Sequence, residues 1–239
     1  MLIANLIFKE SVKDEGFNSS IIFECIEEAV ANNIKNLVIA PAYYDKNSKS
    51  SIEKVKEIVD ELNGYLKVKD IDINLYAGNL LRDNYENIKE YVNGNLGSIN
   101  ESNYILLDIE ECEKIDDILE IVFEYRLRNL IPIIVSPEKI NEIIKNNKNI
   151  DKLKEEGCLF QLDPASLKGV YGKAVKKTAK ALLKRNIYKF IGFEEKIDSK
   201  LINRNISDIS KEGIFIVTSE KVRRNNFKKN KRKRFNIFN

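Results

Sequence analysis

The sequence predicts an α/β fold in which a parallel sheet, open or closed as a barrel, is covered by helices. Three observations carry this. Short apolar runs recur along the chain, amphipathic stretches of helical period separate them, and 239 residues with 43% hydrophobic content suffice to bury one full core. The strand candidates are Leu2 to Phe8, Asn36 to Ala40, Ile71 to Ala77, Tyr104 to Asp108, Ile131 to Val135, Cys158 to Leu162 and Tyr188 to Phe193.

Helical patterns fill the intervals. In Ser20 to Asn32 the side chains of Ile22, Ile26, Ala29 and Val30 share a face, and Ser51 to Leu62 opens with the capping-box pattern Ser50-x-x-Glu53. Ile115 to Arg128, Glu138 to Lys145 and Lys173 to Lys184 complete the set. Strands alternating with helices place ligand sites at the carboxyl ends of the strands, which is where candidate residues are sought.

The composition then removes several chemistries. The chain has no histidine, so the commonest metal ligand and the commonest general acid or base are both missing. Cys25, Cys112 and Cys158 are far apart and odd in number, which suits reduced thiols in a cytoplasmic protein better than a disulfide framework. A cysteine-dependent tyrosine phosphatase needs an arginine six residues after its nucleophile to clamp phosphate, and here those positions hold Ala31, Ile118 and Pro164. Gly169-Val-Tyr-Gly172-Lys173 lacks the spacing and the hydroxyl of a phosphate-binding loop, and neither G-x-G-x-x-G nor C-x-x-C occurs. The N-terminal run Leu2 to Phe8 reads as a first buried strand and not as a signal peptide, and no stretch approaches membrane-spanning length.

Charge is distributed unevenly. The formal net charge is +3, but Lys221 to Asn239 holds nine basic residues and no acidic one. Residues 1 to 220 therefore carry 31 basic against 37 acidic groups, a net of −6. The expected organisation is a mildly acidic body over 1–220 and a basic tail over 221–239.

Several strand ends and their flanks resemble one known family. Gly157-Cys158, Gln161-Leu162, Ala165-Ser166-Leu167 and Gly169-Val170-Tyr171-Gly172, followed by a Lys/Ala-rich helix through Ala181-Leu182-Leu183, are similar to the late segment of the CpsB/CapC-type manganese-dependent protein-tyrosine phosphatases. These belong to the PHP (polymerase and histidinol phosphatase) superfamily. Ser102 to Leu107 and Asn129 to Lys139 match two further segments, and Asp14-Glu15-Gly16 stands where the family has an acidic-Gly turn. The resemblance implies a distorted seven-stranded β/α barrel of PHP type, in a single domain with a basic C-terminal tail. It also implies a place in capsule or exopolysaccharide biosynthesis beside a phosphotyrosine-bearing polysaccharide-export kinase.

The same resemblance identifies what is missing. The family's opening His-x-His corresponds to Asn5 and Ile7, its next His to Ala42, its bridging Glu to Asn79 and its His before Pro-Glu-Arg to Ser136. The Arg becomes Lys139, and the closing Asp-x-His becomes Glu194 and Lys196. Asp14 and Glu194 alone keep a carboxylate. A cluster of manganese ions needs carboxylates and neutral imidazoles to offset its charge, whereas Lys196 would add a fixed positive charge. Without metal the pKa of the attacking water returns toward that of bulk water, and hydroxide is lost at neutral pH. The expectation is a pseudoenzyme with its manganese site lost and no cofactor, retained as a binding or regulatory protein.

Two readings stand for these positions. In the plain one they fill and solvate a dead pocket. In the other, Asn79 and Ser136 with cationic Lys139 and Lys196 bind an anion such as phosphate or phosphotyrosine directly. Asp14, Glu138, Asp163 and Glu194 could alternatively form an all-oxygen site for Mg²⁺ or Ca²⁺, making an active phosphatase with a rebuilt carboxylate site. The expected roles of Glu138 and Asp163 are more ordinary, a helix-opening acid and a turn residue. The tail, with Phe227, Phe235 and Phe238 among its cations, reads either as a solvated terminus or as a contact for anionic membrane, with nucleic acid ranked behind.

Overall fold

The computed structural model describes residues 2–8, 19–43, 50–194, 196–198 and 200. Asp14 and the tail over 221–239 lie outside the described residues, as do the expectations that fall on them.

The described elements run β1 (Leu2–Phe8), α1 (Ser19–Ala31), β2 (Ile34–Pro41), α2 (Ile52–Val68), β3 (Asn74–Ala77), β4 (Leu80–Arg82), α3 (Tyr85–Asn93) and β5 (Tyr104–Asp108). They continue with α4 (Ile115–Arg126), β6 (Ile131–Val135), α5 (Asn141–Lys145), α6 (Asn149–Glu155), β7 (Leu159–Leu162), α7 (Pro164–Lys168), α8 (Lys173–Lys184) and β8 (Phe190–Glu194). Short 3₁₀ turns cover Ile99–Glu101 and Pro137–Lys139.

All eight strands join one parallel sheet in the order β3-β2-β1-β8-β7-β6-β5-β4. An isolated parallel bridge from Ala42 to Leu80 links the two halves where the sheet curls round. Among the described residues the strands number eight, not the expected seven. The additional strand, Leu80–Arg82, has only three residues, too few to display a period of two.

Strand alternation divides the core into two layers. Leu6 and Phe8, Leu37 and Ile39, Ile105 and Leu107, and Phe160 and Leu162 pack with the helices. The intervening Ile7, Val38, Ala40, Leu106, Ile133, Val135 and Phe190 form a separate apolar cluster inside the curled sheet.

Helix α2 shows how sequence sets an outer element. Val55, Ile58, Val59, Leu62 and Leu66 recur at helical spacing and are buried, and Glu53 in the first turn complements the helix dipole. Its N-cap is Ser51, whose hydroxyl accepts from the Lys54 N–H at 3.4 Å. Ser50, expected to cap, instead donates to the Ala42 carbonyl at 2.8 Å, tying the helix entry to the end of β2.

Two other local expectations change. The helix predicted over Glu138 to Lys145 is split into the Pro137–Lys139 turn and α5, because Ile140 takes an extended conformation. Asp163 does more than turn the chain. Its Oδ1 caps α7 by accepting from the Ala165 N–H at 2.9 Å.

Candidate functional site

Five of the eight positions matched to the family's active site are spent on structure. Asn5 is buried and donates to the Gln161 side chain at 2.5 Å across the sheet interior. Gly192 of β8 faces the same amide, and a Cβ there would overlap Gln161. Ile7 and Ala42 lie in the inner apolar cluster. Asn79 is fully occupied as a clamp: its amide donates to Ser50 O at 2.8 Å and Pro41 O at 3.4 Å and accepts from Gly97 N at 3.0 Å. Ser136 adopts the left-handed conformation, φ 47°, and its carbonyl accepts from the Lys139 N–H at 2.8 Å to form the turn after β6.

That turn delivers Lys139 to a cluster of charges at the strand ends. Its ammonium is 2.8 Å from Asp163 Oδ2, at the end of β7, and 3.0 Å from Glu194 Oε1, the last residue of β8. The Tyr171 ring, in the loop between α7 and α8, lies 3.7 Å from the same nitrogen, so the cation also rests on an aromatic face. Burial works against this charge, but the Asp163 and Glu194 carboxylates outweigh it and hold the lysine above its usual range. Burial, the Asp163 hydrogen bond and the Asp163 charge push the Tyr171 phenol up to about 12.

Lys139, read from the sequence as a cation facing an anion, thus meets two carboxylates of its own chain. The three groups together carry a net charge of −1. Lys196, the other candidate cation, is exposed, and its backbone N–H donates to Glu194 O at 2.7 Å.

Beneath the triad sits a buried carboxyl. Glu138 is fully buried, accepting from the Tyr188 hydroxyl at 3.0 Å and from the Asp163 N–H at 3.1 Å. It stands in the first turn after Pro137, as expected, but its carboxyl is turned inward and bonded to Tyr188 and Asp163. Burial pushes it up to about 7, with its own backbone N–H and that of Asp163 pulling the other way and the Asp163 charge adding to the rise. Tyr188 is raised in turn, by burial first and by Glu138 second.

Gln161, Tyr171 and Tyr188 carry no role in the sequence reading. Gln161 left a signal, since it is a polar residue at an inward position of an otherwise apolar strand. The two tyrosines left none, because their partners come from distant segments.

The thiols remain unpromising as nucleophiles. Burial and the neighbouring Asp83 push Cys112 up to about 12, and burial does the same to Cys158. Cys25 is buried in the outer core.

The relatives of this chain fit that architecture. The profile of the family described as capsular polysaccharide synthesis, CpsB/CapC, matches residues 11–215. The chain belongs to the CpsB/CapC family. It is 29% identical to the putative tyrosine-protein phosphatase CapC of Staphylococcus aureus over 168 residues, which cover 70% of this chain and 66% of that protein. It is 26% identical to the tyrosine-protein phosphatase YwqE of Bacillus subtilis over 181 residues, covering 76% and 71%.

Among solved structures, one from a study of YwqE and of CpsB from Streptococcus pneumoniae, described as metal-dependent tyrosine phosphatases, superposes with a TM-score of 0.64 at 22% identity. It covers 86% of this chain and 81% of the other. The histidinol phosphate phosphatase of Lactococcus lactis, solved with zinc, L-histidinol and phosphate, gives 0.54 at 10% identity over 88% and 93%. Both establish the PHP-like fold.

The donors at these positions decide whether a metal centre of the kind these relatives imply could form. Ile7 and Ala42 offer no donor atom, the Asn79 amide is already bonded on both sides, and the Glu194 carboxylate is paired with Lys139. Among the described residues no group of three or more metal-ligating side chains converges. The described residues do not fit a manganese centre. No helix among them is long and apolar enough to cross a membrane.

Proposed function

We propose that this chain is a non-hydrolysing CpsB/CapC member, a pseudoenzyme that acts as a binding or regulatory component of capsular polysaccharide synthesis. One observation carries the reading: the ammonium of Lys139 sits between Asp163 and Glu194 at the strand ends, where a metallophosphatase would need carboxylates free to meet a cation. The apolar Ile7 and Ala42 support it, because they supply neither ligand nor proton.

The partner in this reading is the phosphotyrosine-bearing polysaccharide-export kinase of the same pathway, bound without turnover. Of the two candidate lysines, this reading assigns phosphate contact to Lys196; its exposure supports the assignment, as does the offset of the Lys139 charge by Asp163 and Glu194.

The experiment is an assay of the purified full-length chain on a tyrosine-phosphorylated peptide with Mn²⁺ or Mg²⁺, together with metal analysis. No turnover and no stoichiometric metal are expected, with retained peptide binding weakened by Lys196→Ala. Metal-dependent turnover abolished by Asp14→Ala with Glu194→Gln would establish a rebuilt carboxylate site and end the proposal.

A further inference from the structure

Helix α8 carries a charge pattern that its packing does not require. From Pro164 to Phe193 the chain has eight basic residues and no acidic one, whereas residues 1–163 hold 19 basic against 31 acidic. We propose that the outer face of α8 is an electrostatic docking surface for anionic lipid, formed by Lys173, Lys177, Lys180 and Lys184.

The four lysines make one stripe. At 3.6 residues per turn their positions fall within an arc of roughly 60° and extend over about 16 Å of the helix axis. All four are exposed. Val175, Thr178, Ala179 and Leu182 on the opposite face are buried, so packing holds the helix and leaves the stripe outward.

A solvated helix face is stabilised when acid and base alternate at i,i+4, and like charges at that spacing repel. Here Lys173 stands at i,i+4 to Lys177 and Lys180 to Lys184. The first turn, where the helix dipole is positive, holds lysine and no acid. Among the described residues none of the four ammoniums pairs with a carboxylate, in contrast to Lys35, Lys54, Lys56 and Lys145. The charge of the stripe is therefore open to an external anion.

The kind of anion follows from the side chains. Lysine is a flexible point charge without the planar fork that arginine offers a single phosphate, and the stripe contains no arginine. No aromatic residue stands within α8, so the stripe lacks a stacking platform for nucleic-acid bases. The outer face of one helix is convex and gives no groove to enclose a peptide. A plane of anionic headgroups needs none of these, because it attracts each nearby lysine separately. Val170, 69% exposed just before α8, adds an apolar side chain at the end of the stripe for the headgroup boundary. The same plane repels the acidic excess of residues 1–163, which orients the molecule with α8 toward it.

The test is sedimentation of the full-length chain with vesicles of phosphatidylcholine and phosphatidylglycerol in equal parts, and with vesicles of phosphatidylcholine alone. One variant carries Lys173→Gln, Lys177→Gln, Lys180→Gln and Lys184→Gln. A control carries Lys54→Gln, Lys67→Gln, Lys89→Gln and Lys114→Gln, which removes the same charge elsewhere. The tail over 221–239 is common to all three proteins. The stripe variant is expected to lose at least ~10-fold in binding to the anionic vesicles and the control less than about threefold. Binding of the unsubstituted chain should fall steeply at about 0.5 M NaCl. Circular dichroism checks folding, and if the stripe variant does not fold, Lys177→Gln with Lys180→Gln is read in the same way for a loss of at least ~5-fold.

Equal losses in stripe and control variants, unchanged binding by the stripe variant, or no preference of the unsubstituted chain for anionic vesicles overturns the proposal. So does stripe-dependent binding of polyglutamate or single-stranded RNA in preference to the vesicles. Phosphatase turnover by the unsubstituted chain would break the functional proposal above and leave this surface standing, because sedimentation does not read turnover.

Discussion

Replacing Glu138 by Gln gives a prediction whose size follows from the buried network. Glu138 faces Asp163 and Ser166 from the β7–α7 junction and Tyr188 from the segment before β8, with Lys139 next to it in its own turn. Burial raises its carboxyl from the ordinary 4.5 to about 7, so the folded protein holds this proton more tightly than the unfolded chain does. The resulting stabilisation is complete below the unfolded value and is lost as pH rises through the folded one. At about 1.4 kcal/mol per pKa unit, the loss is on the order of 3 kcal/mol between about pH 5 and about pH 8.

Glutamine keeps the shape and one acceptor but does not titrate. Urea unfolding of both proteins across that range isolates the term, because every other carboxylate is common to the pair. The stability difference is expected to move in favour of Glu138→Gln by roughly 3 kcal/mol from the acidic to the basic end. A difference that stays constant with pH would refute the reasoning, since it would mean that the carboxyl titrates alike in the folded and unfolded chains.

Gly192→Ala should destabilise by about 1–3 kcal/mol, because the new methyl overlaps the Gln161 amide. The cost should shrink by about 1 kcal/mol or more in a Gln161→Ala background, and equal costs in the two backgrounds would remove the steric account. Cys112, held up to about 12, should react with iodoacetamide near pH 8 at least ~100-fold more slowly in the folded protein than in urea, as read by mass spectrometry. Labelling at the unfolded rate would contradict the burial and Asp83 argument. Asn79→Ala should cost about 2–3 kcal/mol in unfolding free energy, since it leaves Gly97 N–H and Ser50 C=O without their partner. A loss below about 0.5 kcal/mol would show that the clamp is dispensable.

The sequence by itself determined the periodic part of this protein. Seven of the eight strands were legible because an inward or outward side chain repeats every two residues and the apolar runs are bounded by turn residues. β4 was not, since Leu80–Arg82 is too short to show a period and is a strand only because β5 pairs with it. The lack of histidine was equally plain, because the absence of a residue type needs no coordinates.

What only the tertiary structure decided is where the charges meet. Lys139 and Glu194 are separated by 55 positions, and nothing in either local pattern says that they touch. Their contact follows from the curling of a parallel sheet, which brings the carboxyl ends of β6, β7 and β8 to one rim. The same closure turns Glu138 from an apparent helix-opening acid into a buried proton holder. The physical reason is that side-chain periodicity is local, whereas electrostatic pairing and desolvation depend on which distant strands become neighbours.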